Sequence, residues 1–280
     1  MLTTISQPDE RVNAIAQTKR KATKWIRPTF SPEHGVLLVL FGSFLTGAAL
    51  AQEWTYTTSL ALVCALFALQ TEHPYIVQLK LRKNLKPRYL IWGGIYGLIA
   101  LSLAIYLWLQ TPDLIWLYIM AIAALVIDGL AVVKGKHKSR ANEIVGFAAI
   151  CLSAPFAYGA TTGSLNAEAM AIWMLNILFF SSAVYTIKLR RKKTAAFTPG
   201  VIYHSIATAI IAALYYFDYL PLVTALSFAI ALIKLLTVFS FKDWYCRAKF
   251  HSVAIFETRF ALVYIAIASI SVLPAHLPPR

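Results

Sequence analysis

Acidic residues are scarce in this chain, and so is charge of either sign. Its 280 residues hold 12 Asp and Glu against 26 Lys and Arg, and charged residues make up only 14%. A soluble domain carries about 25%, so this composition argues against a soluble enzyme. The hydrophobic share of 59% excludes a disordered chain, which needs low hydrophobicity. Three Cys with no CxxC spacing are too few for a disulfide scaffold or a thiolate metal site. Cys64 and Cys151 lie inside apolar runs and are expected to act as small core residues. The polar–apolar alternation of a membrane barrel is missing, since Ala121-Ile122-Ala123-Ala124-Leu125-Val126-Ile127 is apolar on every face. The first residues show no apolar core before a small-residue cleavage site, so no signal peptide is expected.

What is present in quantity is long apolar runs, and mean hydropathy reaches +0.65. A run of about 18 or more apolar residues with few charges reads as a transmembrane helix. Nine are found: about His34–Ala51, Trp54–Leu79, Tyr89–Leu109, Leu114–Val133, Ala141–Ala160, Ala169–Ile187, Val201–Phe217, Leu220–Phe241 and Ser252–Leu273. Helix is the spanning form expected of them, because lipid offers no partner to an open backbone. The fold class predicted is an all-α membrane protein.

The cations settle how the spans are read. Arg11 to Arg27, Lys80 to Arg88, Lys134 to Arg140, Lys188 to Lys193 and Lys242 to Lys249 hold all the Lys and Arg except Lys234, Arg259 and Arg280. The intervening loops at Gln52-Glu53, Thr111–Asp113, Thr161–Glu168 and Asp218 hold none. This alternation predicts a cytoplasmic N-terminus, nine spans and an outer C-terminus by the positive-inside rule. The expected organisation is a basic cytoplasmic tail at 1–30, a nine-helix domain at 31–274 and a short outer tail at 275–280. Trp54, Trp108, Trp116, Trp173 and Tyr219 fall near span ends, where amphipathic rings favour the interface. The positive excess therefore reads as orientation, with lipid and not nucleic acid as the partner.

Ionisable residues within spans are costly and read as functional candidates. Glu33, His34, Glu72, His73, Asp128, Asn142, Glu143, His204, Lys234, Glu257 and Arg259 all lie toward the cation-bearing ends of their spans. Their convergence predicts a polar cavity open to the cytoplasm that binds a ligand. The bland alternative for each is an ion pair that locks helices together, or a long side chain that snorkels. Neighbours such as Glu33-His34 diverge by about 100° on a helix, so no pair holds a metal ion alone, and neither a metal nor a cofactor is predicted. Gly93 and Gly97 form a GxxxG that fits close internal packing. Pro155 is expected to kink the fifth span, and Pro74 to break the second.

Ser31-Pro32-Glu33-His34-Gly35, Glu72-His73-Pro74, Val184-Tyr185-Thr186-Ile187-Lys188 and Tyr203-His204-Ser205 resemble the YwiC-like family of membrane proteins. That resemblance covers most of the chain from about Ser31 to the ninth span and implies no established biochemical role. Asn142-Glu143-Ile144-Val145-Gly146, through Pro155, to Thr162-Gly163-Ser164-Leu165 is more distantly similar to the UbiA-type prenyltransferase superfamily. This second resemblance implies a nine-helix bundle with a cytoplasm-facing cavity. It would place Mg²⁺-binding Asp-rich motifs after spans two and six. The sequence offers Glu72, His73 and Gln78 at the first place and only cations, Lys188 to Lys193, at the second. The fold is then expected without the diphosphate chemistry.

Three readings stay open. The first is a protein that binds an amphipathic or isoprenoid-type ligand, such as a lipid, quinone or pigment. The others are a transporter of a small solute or ion, and a diverged membrane transferase. The membrane expected is a bacterial-type plasma membrane or a thylakoid, and the oligomeric state is not read.

Overall fold

The computed structural model describes residues 28–30, 34–81, 85–190 and 196–273. Twelve helices and no strand occur among them. In chain order they are α1 (His34–Ala51), α2 (Tyr56–Leu81), α3 (Pro87–Gln110), α4 (Leu114–Val133), α5 (Arg140–Cys151) and α6 (Ser153–Thr162). Then follow α7 (Ala167–Lys188), α8 (Thr198–Tyr216), α9 (Leu222–Leu226), α10 (Ala229–Ser240), α11 (Lys242–Arg247) and α12 (Phe250–Ser271).

Eight helical stretches are long and apolar enough to cross a membrane, with Arg140–Thr162 and Leu222–Ser240 each counted as one. The first expected span is helical as α1, but its apolar run Gly35–Ala51 is shorter than the other eight. The chain is an all-α integral membrane protein. Among the described residues, the helix ends and connections at Lys86, Lys134 to Lys138, Lys188 to Arg190 and Lys242 to Lys249 are basic. The turns at Gln52–Thr55, Thr111–Asp113, Gly163–Asn166 and Phe217–Pro221 carry no cation.

Local chemistry explains three helix boundaries. Ser139 caps α5 by accepting the Asn142 N–H at 3.2 Å, and Asn166 caps α7 by accepting the Ala169 N–H at 2.8 Å. Gly163 ends α6 with φ of 80°, a left-handed conformation that costs glycine little.

One span is interrupted as expected and two depart from expectation. The fifth breaks at Leu152, ahead of Pro155, because proline offers no N–H to the Cys151 carbonyl and its ring crowds the preceding turn. The break lets the Ser153 hydroxyl donate to the Leu40 carbonyl of α1 at 3.1 Å. The second span does not break: α2 runs unbroken through a buried Pro74. Gly93 of α3 faces it, where a Cβ would lie 3.4 Å from the proline ring, so α3 yields the room that the irregular turn needs. The eighth span divides into α9 and α10 at Ser227-Phe228, where the Ser227 hydroxyl donates to the Thr224 carbonyl at 2.6 Å. No proline or glycine marks that site, so the pattern of apolar residues hides it.

α7 is the central pillar. Buried residues make up 67% of its apolar window against 11% for α4, which faces outward. Ile172, Leu175 and Phe179 of α7 pack with Ile211 of α8, Ala231 of α10 and Tyr264 of α12. Lipid tails are as apolar as these side chains, so close fit and hydrogen bonds hold the bundle more than apolar burial does. A Cβ on Gly47 would overlap the Ala154 carbonyl, which means α1 and α6 touch backbone to backbone. Gly93 and Gly97 both face α2, against Tyr75 and Thr71, as the internal-packing reading of their spacing expects. Cys64 and Cys151 are buried core residues.

Candidate functional site

The polar residues of the spans resolve into separate bonded groups. Asn142 Nδ2 donates to Asp128 Oδ1 at 2.5 Å and to the His137 carbonyl at 3.2 Å, tying α4 to the start of α5. The next residue of α5, Glu143, pairs with Lys188 of α7 at 2.6 Å. Lys188 Nζ also donates to the Lys138 carbonyl at 3.1 Å. These contacts satisfy charges that would otherwise be costly near lipid.

A second group joins four helices. Lys234 of α10 is 2% exposed and donates to Glu257 Oε2 of α12 at 2.9 Å. The other oxygen, Oε1, accepts the Thr186 hydroxyl of α7 at 2.7 Å and the Tyr245 hydroxyl of α11 at 2.6 Å. Burial first, and then the Glu257 carboxylate, push the Tyr245 phenol above its ordinary range, so it remains a donor. Lys234 Nζ also lies 5.4 Å from the Phe179 ring centre, which stacks on Tyr264 at 3.7 Å. Tyr264 donates to Asn176 Oδ1 at 2.9 Å, and Asn176 donates to Thr46 of α1 at 2.8 Å. His204 is buried on α8, with Nδ1 2.7 Å from the Gly200 carbonyl and Nε2 without a hydrogen bond.

Glu72 and His73 are half-buried on α2, and Arg259 is exposed on α12. His34 opens α1, and Glu33 lies outside the described residues. Among the described residues no group of three His, Cys, Asp or Glu could hold a metal ion.

A groove of about 350 Å³ runs between α7 and α8, with Arg140 at the start of α5 on its edge. Leu178, Ile202, Ile206 and Ala207 form its apolar wall, and Tyr185, Tyr203 and Thr198 add polar edges. None of the candidate residues lines it. Tyr203 and Tyr185 stack at 4.4 Å, and the Tyr203 hydroxyl donates to the Leu178 carbonyl at 2.8 Å. The Arg140 guanidinium sits 6.0 Å from the Tyr185 ring centre. Its Nε is buried without a hydrogen bond. Lys188 and Lys234 have carboxylate partners, whereas Arg140 has none among the described residues. Sequence reasoning counts Arg140 as an orienting loop cation. Its place at the first helical position after a Ser cap is the signal that it is fixed on the bundle.

Residues 30–158 match the family model described as YwiC-like protein, so the resemblance drawn from the sequence motifs is borne out over that stretch. No curated protein matches the chain, and no solved structure does.

Proposed function

We propose that this membrane protein binds an amphipathic molecule in the groove between α7 and α8. The supporting observation is a groove with an exposed apolar wall and, at one end, a guanidinium without a carboxylate partner among the described residues. Ile202 and Ile206 are 53% and 56% exposed, so in a bilayer the groove opens toward lipid. A hydrocarbon chain can lie along Leu178, Ile202, Ile206 and Ala207. A polar end then reaches Arg140 at the level of the headgroups. The volume suits a single chain or a compact ring, near the lower end of the range for small-molecule sites. With the basic end in the cytoplasm, the ligand would enter from the inner leaflet.

The test is native mass spectrometry of protein solubilised in mild detergent, comparing wild type with Ile206→Trp, which fills the groove from an exposed position. The expected result is a retained adduct in wild type that is lost in the variant while helical content is unchanged. Equal adducts in both proteins, or none in wild type, would overturn the reading.

A further inference from the structure

We infer that the polar end of the bound molecule is a phosphate ester, held by Arg140 from α5 and by the N-terminal turn of α8. This rests on the groove reading above and adds the chemical class of the headgroup. Three observations meet at one end of the groove. Arg140 lines it, and its buried Nε has no hydrogen bond. The guanidinium carbon lies over the Tyr185 ring, 6.0 Å from its centre. Thr198 and Pro199 also line the groove, as the first residues of the 19-residue α8, whose N-terminus has no side-chain cap. Pro199 has no N–H there, and the Gly200 and Val201 N–H groups donate to the Phe197 carbonyl, so what this end of α8 offers an anion is the positive end of the helix dipole and the Thr198 hydroxyl.

These donors approach from two sides, α5 and α8. A carboxylate has two oxygens in one plane, which one guanidinium edge satisfies. A tetrahedral phosphate has oxygens left over for the second side, and its charge suits a site with an unmatched cation. The groove's other lining groups are apolar or phenolic, so no acidic side chain repels the anion there.

The same chemistry could come from a lipid phosphate or from a soluble phosphate, and the experiment separates them. Wild type in a neutral sugar detergent is titrated with phosphatidic acid, with diacylglycerol of the same chains, and with inorganic phosphate alone. Binding is read by native mass spectrometry and by thermal shift. The expected result is saturable binding of phosphatidic acid, at least about tenfold weaker binding of diacylglycerol, and at least about tenfold weakening of phosphatidic acid in Arg140→Gln. Arg140→Lys should recover part of the loss, since a point charge remains without the fork.

Equal binding of phosphatidic acid and diacylglycerol, both lost in Ile206→Trp, would overturn the phosphate inference and leave the groove reading standing. Saturable binding of inorganic phosphate alone, weakened by Arg140→Gln but untouched by Ile206→Trp, would uphold the phosphate site and overturn the amphipathic reading. The comparison of the two lipids on wild type needs no variant, so a folding failure of Arg140→Gln leaves the inference decidable.

Discussion

Lys234 and Glu257 form an ion pair at 2.9 Å between α10 and α12, inside the apolar part of the bundle. The carboxylate is bonded on both oxygens, and the cation faces an aromatic ring. Such a pair is a lock. Its net contribution over apolar residues of similar size is small, but loss of one partner leaves a buried charge uncompensated. Lys234→Met or Glu257→Gln alone should therefore destabilise the protein by about 3–5 kcal/mol, and the double Lys234→Met/Glu257→Met should lose less than the sum of the two single changes. Thermal unfolding in detergent measures this. Additive losses would show that the two side chains are not coupled.

Tyr245 gives a dependence on pH. Its phenol is raised above the unfolded value, by burial first and by Glu257 second. A raised folded pKa means that the neutral form is favoured by folding. The stability it contributes is present below the ordinary tyrosine pKa of about 10 and is lost as pH rises beyond it. Melting temperature should fall more steeply above about pH 10 in wild type than in Tyr245→Phe. Parallel curves would contradict the contact.

Gly47 tests the closest helix approach. A Cβ there meets the Ala154 backbone, whereas at Gly94 and Gly146 nothing lies within 4 Å. Gly47→Ala should cost about 1–3 kcal/mol or abolish folded protein, because backbone cannot swing aside as a side chain can. Gly94→Ala should be neutral or slightly stabilising. Size-exclusion profiles and unfolding temperatures distinguish the two outcomes.

The chain Thr46–Asn176–Tyr264 makes a further prediction. Asn176→Leu strands the buried Tyr264 hydroxyl, while Thr46 keeps its hydrogen bond to the Ser43 carbonyl, and should cost about 1–3 kcal/mol. Adding Tyr264→Phe should recover part of that loss, since the stranded hydroxyl is then gone. Unfolding of the single and double variants provides the measurement.

Orientation is tested with single cysteines in a background lacking Cys64, Cys151 and Cys246. Glu53→Cys should react with an impermeant thiol reagent in intact cells, and Lys136→Cys only after permeabilisation. The reverse pattern would overturn the positive-inside assignment.

The apolar runs and the alternation of cations were legible without coordinates, because lipid imposes length and charge rules on each segment separately. The break near Pro155 was legible to within a turn for the same local reason. The unbroken α2 was not, since whether Pro74 breaks a helix depends on the room left by Gly93 on another element. The break at Ser227 was likewise hidden, because it is built from hydrogen bonds that leave no proline or glycine in the sequence.

The candidate residues divide along the same line. That Asp128, Glu143, Lys234 and Glu257 are costly in a span is a property of each residue, and the sequence by itself determined it. Which partner each one takes was decided only by the tertiary structure, since Lys234 and Glu257 lie 23 positions apart and Glu143 and Lys188 lie 45 apart. Packing spent those charges as locks. It left Arg140, which in one dimension looks like any other orienting cation, beside an apolar groove without a carboxylate partner among the described residues. Charge and hydropathy along the chain set how the protein sits in its membrane. The proposed groove depends on packing that leaves Arg140 without a carboxylate partner among the described residues.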